Sequence, residues 1–351
     1  MYEFHWPTKT LIGSGTLNDL PEHLLQPTPH RKLMIAAPQE DWAQPLLARL
    51  TASLIDRGWQ PPAIFAEIEP NPSWETVRAG TETALINEAN VVLAVGGGST
   101  LDAAKVIAER AEALFLCTVP TTAGTGGEIS PWAVISNLET REKESLIAKW
   151  PDLTVLDPEL TTTLPPRITL FTGIDAFIHG LEAYLASAAN PITDALALKG
   201  MELVDQHLET AVESGENLPA RQGMLEGSLL TGAAMLHAGL GLMHAIGNVT
   251  GGLYHELPHG LILMSCMDAV LDYNQPAAGK KYRQIGPLVD RIRSLTEAYF
   301  QQLSIPEVVV RSEDLDTLAE RAAVNVNAKT NPRPAGPEEI QGVVRKAFRV
   351  Q

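Results

Sequence analysis

Ten consecutive residues of this 351-residue chain, Asp175-Ala-Phe-Ile-His-Gly-Leu-Glu-Ala-Tyr184, hold its most suggestive chemistry. The segment reads as helix, so Asp175 and His179, four apart, lie on one face one turn from each other. Two more histidines, His244 and His259, follow in apolar, glycine-rich surroundings. One carboxylate oxygen and three imidazole nitrogens form a suitable donor set for Fe2+ or Zn2+. Upstream, a glycine turn at 96–99 stands where a phosphate could bind. A metal and a dinucleotide in one chain point to metal-assisted redox chemistry on an alcohol or aldehyde.

Each feature has a plainer reading. Alone, Asp175 and His179 read sooner as a capped carboxylate and a core-facing imidazole. The segment from Gly239 to Gly260 changes that balance. His244 lies in an apolar helical run, where an imidazole without a partner is costly. His259, between Pro258 and Gly260, reads as the start of the next helix. His255 and His259 are also four apart, but Pro258 disfavours one helical face through both, so His255 is not expected to be a ligand. His237 precedes His244 by seven and could share its face, either lining the substrate side or as a polar core residue.

The glycine turn Val95-Gly-Gly-Gly-Ser99 leaves an apolar strand and opens a helix that runs on through Lys105. Gly97 and Gly98 allow close backbone approach to a phosphate, and helix-start N–H groups bind its charge. Ser99 could cap that helix. A simple tight turn explains the same residues, and neither GxGxxG nor a Walker loop is present. A second loop, Pro120 to Glu128, also follows a buried strand and offers hydroxyls at Thr121, Thr122 and Thr125. Two loops after two strands of a parallel sheet can line one crevice.

These residues require a scaffold, and the sequence outlines one. Apolar runs at 32–37, 63–68, 90–95, 114–119 and 153–156 read as strands buried on both faces, with a helix over 74–89. After the proline-marked stretch near 158–167, helical periodicity dominates: about 168–187, 191–211, 219–236, 239–254, 259–273 and 282–302, then a last short helix beyond Pro337. The expectation is an α/β dinucleotide-binding domain with a parallel sheet over 1–162, followed by an all-α metal- and substrate-binding domain over 163–351. The net charge of −16 disfavours nucleic acid as a partner. Cys117 and Cys266 sit in apolar runs and read as buried thiols. The start MYEFHWPTK lacks a signal peptide's pattern, and no run reaches a membrane span of about 18 apolar residues. A cytoplasmic enzyme with no membrane partner is the expectation.

At these motifs the chain resembles the iron-containing (group III) alcohol dehydrogenases, which share the dehydroquinate synthase and glycerol dehydrogenase fold. The likeness runs through EFHWPTKTLIGSGTL, GGGSTLDAAK, PTTAGTGGE, TGIDAFIHGLEAY and GLGLMHAIGN to PHG, nearly the whole chain. It implies metal ligands at Asp175, His179, His244 and His259, and pyrophosphate contacts at Gly97, Gly98 and Ser99. It also places Asp102, Thr121, Thr122 and Thr125 among the cofactor-binding residues. Lys143 matches a lysine that reaches the cofactor ribose, and Ile168 an apolar residue beside the nicotinamide. A homodimer is expected.

The chain departs from that pattern twice. Many members carry a further histidine one turn after the third ligand, whereas here Asn248 stands there and cannot titrate. The adenosine-ribose position, often Asp in NAD-preferring members, falls near Pro38, followed by Gln39, Glu40 and Asp41. Losing that Asp leaves space for a 2′-phosphate, while the nearby acids argue against one, so NADP and NAD both stay open. The reading is a dehydrogenase or reductase of a primary alcohol or aldehyde, with Fe2+ expected and Zn2+ as the other candidate metal. Asn248 and His237 are its catalytic candidates, and Trp132 and Tyr254 could line the substrate pocket. The alternatives are a zinc polyol dehydrogenase, a maleylacetate-type reductase and a non-catalytic dinucleotide- or metal-binding protein.

Overall fold

The structure, a computed structural model, describes residues 2–25 and 32–351. The chain divides into two compact units: His5–Thr122 with Gly127–Thr163, and Met1–Phe4 and Ala123–Gly126 with Leu164–Gln351.

The first unit contains strands β1 (Lys9–Ile12), β2 (Leu33–Pro38), β3 (Ala63–Ile68), β4 (Val91–Gly96), β5 (Phe115–Pro120), β6 (Trp132–Asn137), β7 (Glu142–Ile147) and β8 (Leu153–Leu156). Six of them form one sheet in the order β1-β8-β5-β4-β2-β3, every pair parallel. Parallel neighbours need crossovers, and helices α1 (Leu20–Leu25), α2 (Ala43–Asp56), α3 (Trp74–Ile86) and α4 (Gly98–Arg110) help to supply them. Successive strand residues face opposite sides. Leu33, Ile35, Leu93, Val95 and Val119 pack with Leu20, Leu47 and Leu54 of α1 and α2. Met34, Ala36, Val92, Ala94 and Leu116 pack with Val77, Leu101 and Ile107 of α3 and α4. Each such large apolar side chain contributes roughly 1.5–3 kcal/mol on burial.

The sheet order reverses between β2 and β4, and ligands of open α/β sheets sit at the carboxyl ends of strands near such a reversal. The glycine turn leaves β4 at that end. The sequence reading did not place helices α1 and α2, the strand β1, or β6 and β7. β1 is a short edge strand paired with β8. β6 and β7 form an antiparallel hairpin outside the main sheet, and the charged, half-exposed residues of β7 hide it in the sequence.

The second unit is built on helices α5 (Pro166–Leu185), α6 (Pro191–Glu213), α7 (Leu218–Ala238), α8 (Leu242–Leu253), α9 (His259–Gln302), α10 (Leu315–Val324) and α11 (Pro337–Ala347). The segments expected at 259–273 and 282–302 belong to one stretch, α9, interrupted by Gly279 at φ 51°. The unit is mostly rather than wholly helical, since Val309–Val310 (β9) and Arg349–Val350 (β10) pair as a short parallel ladder. Among the described residues no single helix is long and apolar enough to cross a membrane. Cys117 and Cys266 are buried free thiols.

Candidate metal centre and cofactor loops

α5 is buried from Thr169 through Leu185 apart from Thr172, so its polar side chains must find partners inside the protein. Buried Arg221 fixes its start, donating to Thr169 Oγ1 at 2.8 Å and to the Leu164 carbonyl at 3.4 Å. Asp175, His179 and Glu182 stand at i, i+4 and i+7 on this helix, which aligns them on one face. His244 comes from the first turn of α8, and His259 is the first residue of α9.

The three imidazoles converge on one oxygen. Nε2 of His244, His179 and His259 lies 3.4, 3.6 and 3.9 Å from Asp175 Oδ1. Ligand atoms held about 2.0–2.2 Å from a tetrahedral ion are about 3.3–3.6 Å apart. Asp175, His244 and His259 form a group whose donor atoms all lie within 4.8 Å of one another. His179 reaches Asp175 but falls outside that tighter set, and its ring stacks on His244 with centroids 4.4 Å apart. Asp175 Oδ1 and His244 Nε2 are buried and neither makes a hydrogen bond of normal geometry. Buried lone pairs left this way cost about 1–3 kcal/mol each, and a cation removes that cost.

The far sides of two rings are anchored. His179 Nδ1 lies 3.1 Å from the Gly124 carbonyl, and His244 Nδ1 lies 2.7 Å from Glu182 Oε2. A carbonyl and a carboxylate only accept, so both Nδ1 atoms donate, and Nε2 is the nitrogen of each ring that faces Asp175. His259 is the most open of the group, with its side chain 29% exposed against 4% for His244. Small molecules therefore have access on the His259 side.

Burial opposes charge throughout. At Asp175 the imidazoles, His179 foremost, outweigh it and hold the carboxyl well below the ordinary range. At His179 burial wins over the Asp175 charge and takes the imidazole down to about 4. At His244 the carboxylates of Asp175 and Glu182 overcome burial and raise it to about 9. A cation binding here competes with a proton at His244, as ligation by imidazole requires.

Glu182 is the residue that sequence reasoning missed. Its Oε1 accepts the Met243 N–H at 2.7 Å, and its Oε2 accepts the His244 N–H at 3.3 Å beside the ring contact. Asn331 Oδ1 accepts the preceding Leu242 N–H at 3.1 Å. Side chains from elsewhere thus cap the helix start that Gly241 cannot cap, and a Cβ on Gly241 would lie 2.7 Å from Glu182 Oε1. The i, i+4, i+7 spacing after Asp175 was the available signal.

The other expected residues separate. Asn248 lies half-buried one turn after His244 on α8. The His237 ring packs on Phe4, with centroids 4.2 Å apart. His255 is a surface residue beside Glu256. Tyr254 does not present a hydroxyl for substrate. It donates to Asp314 Oδ2 at 2.5 Å and accepts from the Arg311 N–H at 2.8 Å. Ile168 lies in the first turn of α5 and Thr125 in the segment Ala123–Gly126 of the same unit.

In the first unit, Gly97 is the N-cap of α4 and contributes no capping side chain. Ser99 is not the cap, because it lies inside the first turn, where its Oγ accepts the Asn71 N–H at 3.1 Å. Lys143, on β7, donates to Asn71 Oδ1 at 2.8 Å. Asn71 therefore ties the glycine turn to the hairpin, and its φ of 56° suits asparagine. This is a second residue the sequence did not reveal, since Glu69-Pro-Asn-Pro72 reads only as a turn. Thr121 is buried with its N–H on the Gly96 carbonyl at 3.0 Å, and Thr122 is half-buried. Asp102 is engaged within the protein, with Lys105 at 3.1 Å and the Val134 N–H at 3.0 Å.

A parallel sheet with a glycine turn beside its reversal, and a helical unit with a buried carboxylate–imidazole group, define the alcohol dehydrogenase class. Residues 7–158 match the iron-containing alcohol dehydrogenase family, and residues 169–348 match the C-terminal part of the Fe-containing alcohol dehydrogenase family. The chain belongs to the iron-containing alcohol dehydrogenase family. It is 35% identical over 314 residues to the 1-propanol dehydrogenase PduQ of Salmonella typhimurium, covering 81% of this chain and 85% of that one. It is 29% identical over 384 residues to the NAD-dependent methanol dehydrogenase of Bacillus methanolicus, covering 99% and 100%. A crystal structure of 1,3-propanediol oxidoreductase superimposes with a TM-score of 0.91 at 29% identity, covering 99% of this chain and 100% of that one.

Proposed function

We propose that the protein interconverts a primary alcohol and its aldehyde with NAD or NADP, using one divalent cation held by Asp175, His179, His244 and His259. Fe2+ is the preferred cation, with Zn2+ as the alternative. The observation that carries this reading is the convergence of three Nε2 atoms at 3.4–3.9 Å on a buried carboxylate oxygen. When bound, the cation supplies Lewis acidity at the substrate oxygen and the nicotinamide supplies the hydride acceptor.

In the oxidative direction the alcohol loses a hydride from its carbinol carbon and a proton from its hydroxyl, giving aldehyde, NAD(P)H and H+. The protein's own residues prepare this step. Asp175 offsets the cation's charge, while Gly124 and Glu182 hold two imidazoles in the ligating tautomer. α5 is buried around Asp175 and His179, and His259 is the most exposed imidazole of the group. Gly97, Gly98 and Ser99 would receive the pyrophosphate at the start of α4, with Thr121 and Thr122 of the same unit offering hydroxyls and Lys143 reaching the ribose. Asn248 can orient substrate by hydrogen bonds but cannot carry the proton near neutral pH.

The test is an anaerobic one. Metal-free protein is loaded with Fe2+ or Zn2+ and offered short primary alcohols and aldehydes with each dinucleotide. Turnover that needs added metal and disappears with a chelator supports the proposal. Full turnover in metal-free protein overturns it.

A further inference from the structure

Glu182 does two jobs with one carboxylate. It caps the start of α8 through the N–H groups of Met243 and His244, and it takes the His244 ring proton at 2.7 Å. Of the two imidazoles with an anchored Nδ1, only His244 is held by a full negative charge, since His179 rests on the Gly124 carbonyl. Glu182 and His244 are both 4% exposed at the side chain, so solvent screens the contact little.

We infer that Glu182 is a positioning residue that fixes the tautomer of His244 and makes it a stronger donor to the metal site than its carbonyl-anchored neighbour His179. The carboxylate holds one proton on Nδ1, so Nε2, toward Asp175, is the nitrogen from which a cation displaces a proton. Its charge raises the basicity of the ligating nitrogen. Its place at the helix start also stabilises that charge, because three successive N–H groups, from Leu242 to His244, point at Glu182 and Asn331. Gly241 lets both side chains approach, as a Cβ there would lie 2.7 Å from Glu182 Oε1 and 2.8 Å from Asn331 Oδ1. This inference rests on the metal reading of the site.

Three proteins separate positioning from simple helix capping: the parent, Glu182→Gln and Asn331→Ala. Each is stripped of metal and titrated with Zn2+ against a competing chelator, and the melting temperature of each metal-free form is measured. Glutamine keeps the size of Glu182 and an oxygen for one N–H, but it carries no charge to hold the ring proton. Glu182→Gln should bind Zn2+ about 10–100-fold more weakly. Asn331→Ala loses an acceptor at the same helix end without touching the imidazole. It should melt lower but keep the parent's Zn2+ affinity. Parent-like affinity in Glu182→Gln overturns the inference, and so does an equal loss in Asn331→Ala. If Glu182→Gln does not fold, nitrogen NMR of the Zn2+-loaded parent decides, with a proton on His244 Nδ1 supporting the inference and its absence overturning it. A parent that binds no Zn2+ defeats the metal reading, and this inference with it.

Discussion

His244→Ala isolates the role of the metal group from that of the fold. The backbone N–H of residue 244 still donates to Glu182 Oε2, and Met243 still donates to Oε1, so the start of α8 keeps its caps. What disappears is the ring's contact with Glu182 at 2.7 Å and its packing against His179. A hydrogen bond to a charged group is worth about 1.5–3 kcal/mol, and the space left by a buried ring adds to the loss. The metal-free variant should therefore be about 2–4 kcal/mol less stable than the metal-free parent and still fold. Its metal affinity should fall by more than the roughly 10–100-fold cost of losing an outer-sphere partner, because a ligand itself is gone. Circular dichroism and thermal unfolding check the fold, and metal analysis after desalting reads retention. Turnover on an active alcohol completes the assay. A folded His244→Ala protein that keeps one equivalent of metal and turns over like the parent refutes the assignment.

Three further outcomes are expected. Gly97→Ala should leave the fold intact, since the added Cβ meets Thr122 at 3.4 Å, yet it should weaken dinucleotide binding in calorimetry; unchanged affinity contradicts the pyrophosphate assignment. Glu128 is buried, and burial raises its carboxyl to about 7, so its proton stabilises the fold below the ordinary carboxylate pKa and that stability is lost as pH rises through about 7. On the order of 3 kcal/mol is at stake, and Glu128→Gln should flatten the decline in stability between about pH 5 and pH 8; parallel stability–pH curves for variant and parent would count against this. Asn248→His should add an ionisation near the ordinary histidine pKa of roughly 6.5 to the pH–rate profile, and Asn248→Asp should damage activity more; superimposable profiles for parent and Asn248→His place the residue outside the proton path.

Much of the first unit was legible because its central strands are buried on both faces, whereas the edge strand Ala63–Ile68, expected to be buried likewise, is half-exposed. Leu33–Pro38, Val91–Gly96, Phe115–Pro120 and Leu153–Leu156 are apolar almost throughout, and their short length between turn residues reads as buried strand. β1 was not legible, since Lys9-Thr-Leu-Ile12 is short, edge-placed and partly exposed. The hairpin was missed for a related reason: Glu142-Lys-Glu-Ser-Leu-Ile147 opens with three charged residues and has only two apolar ones, side by side, so no period-2 apolar pattern marks it. In α9 the backbone leaves helical geometry at Gly279, so the two helical segments read from the sequence, 259–273 and 282–302, fall on either side of a real break. Residue types and spacing identified Asp175, His179, His244 and His259 as possible ligands. The partners that aim them were harder to see. Gly124 acts through its main-chain carbonyl, which no side chain announces. Glu182 was hidden in an apolar helical run, and its function depends on α8, whose first residue lies 60 positions downstream.

Anomalous diffraction from crystals of the Fe2+- or Zn2+-loaded protein tests the central claim most directly. The account expects one strong peak per chain, about 2.0–2.3 Å from Asp175 and from Nε2 of His179, His244 and His259. A catalytically active crystal form with no peak there, or with its metal at another site, contradicts it.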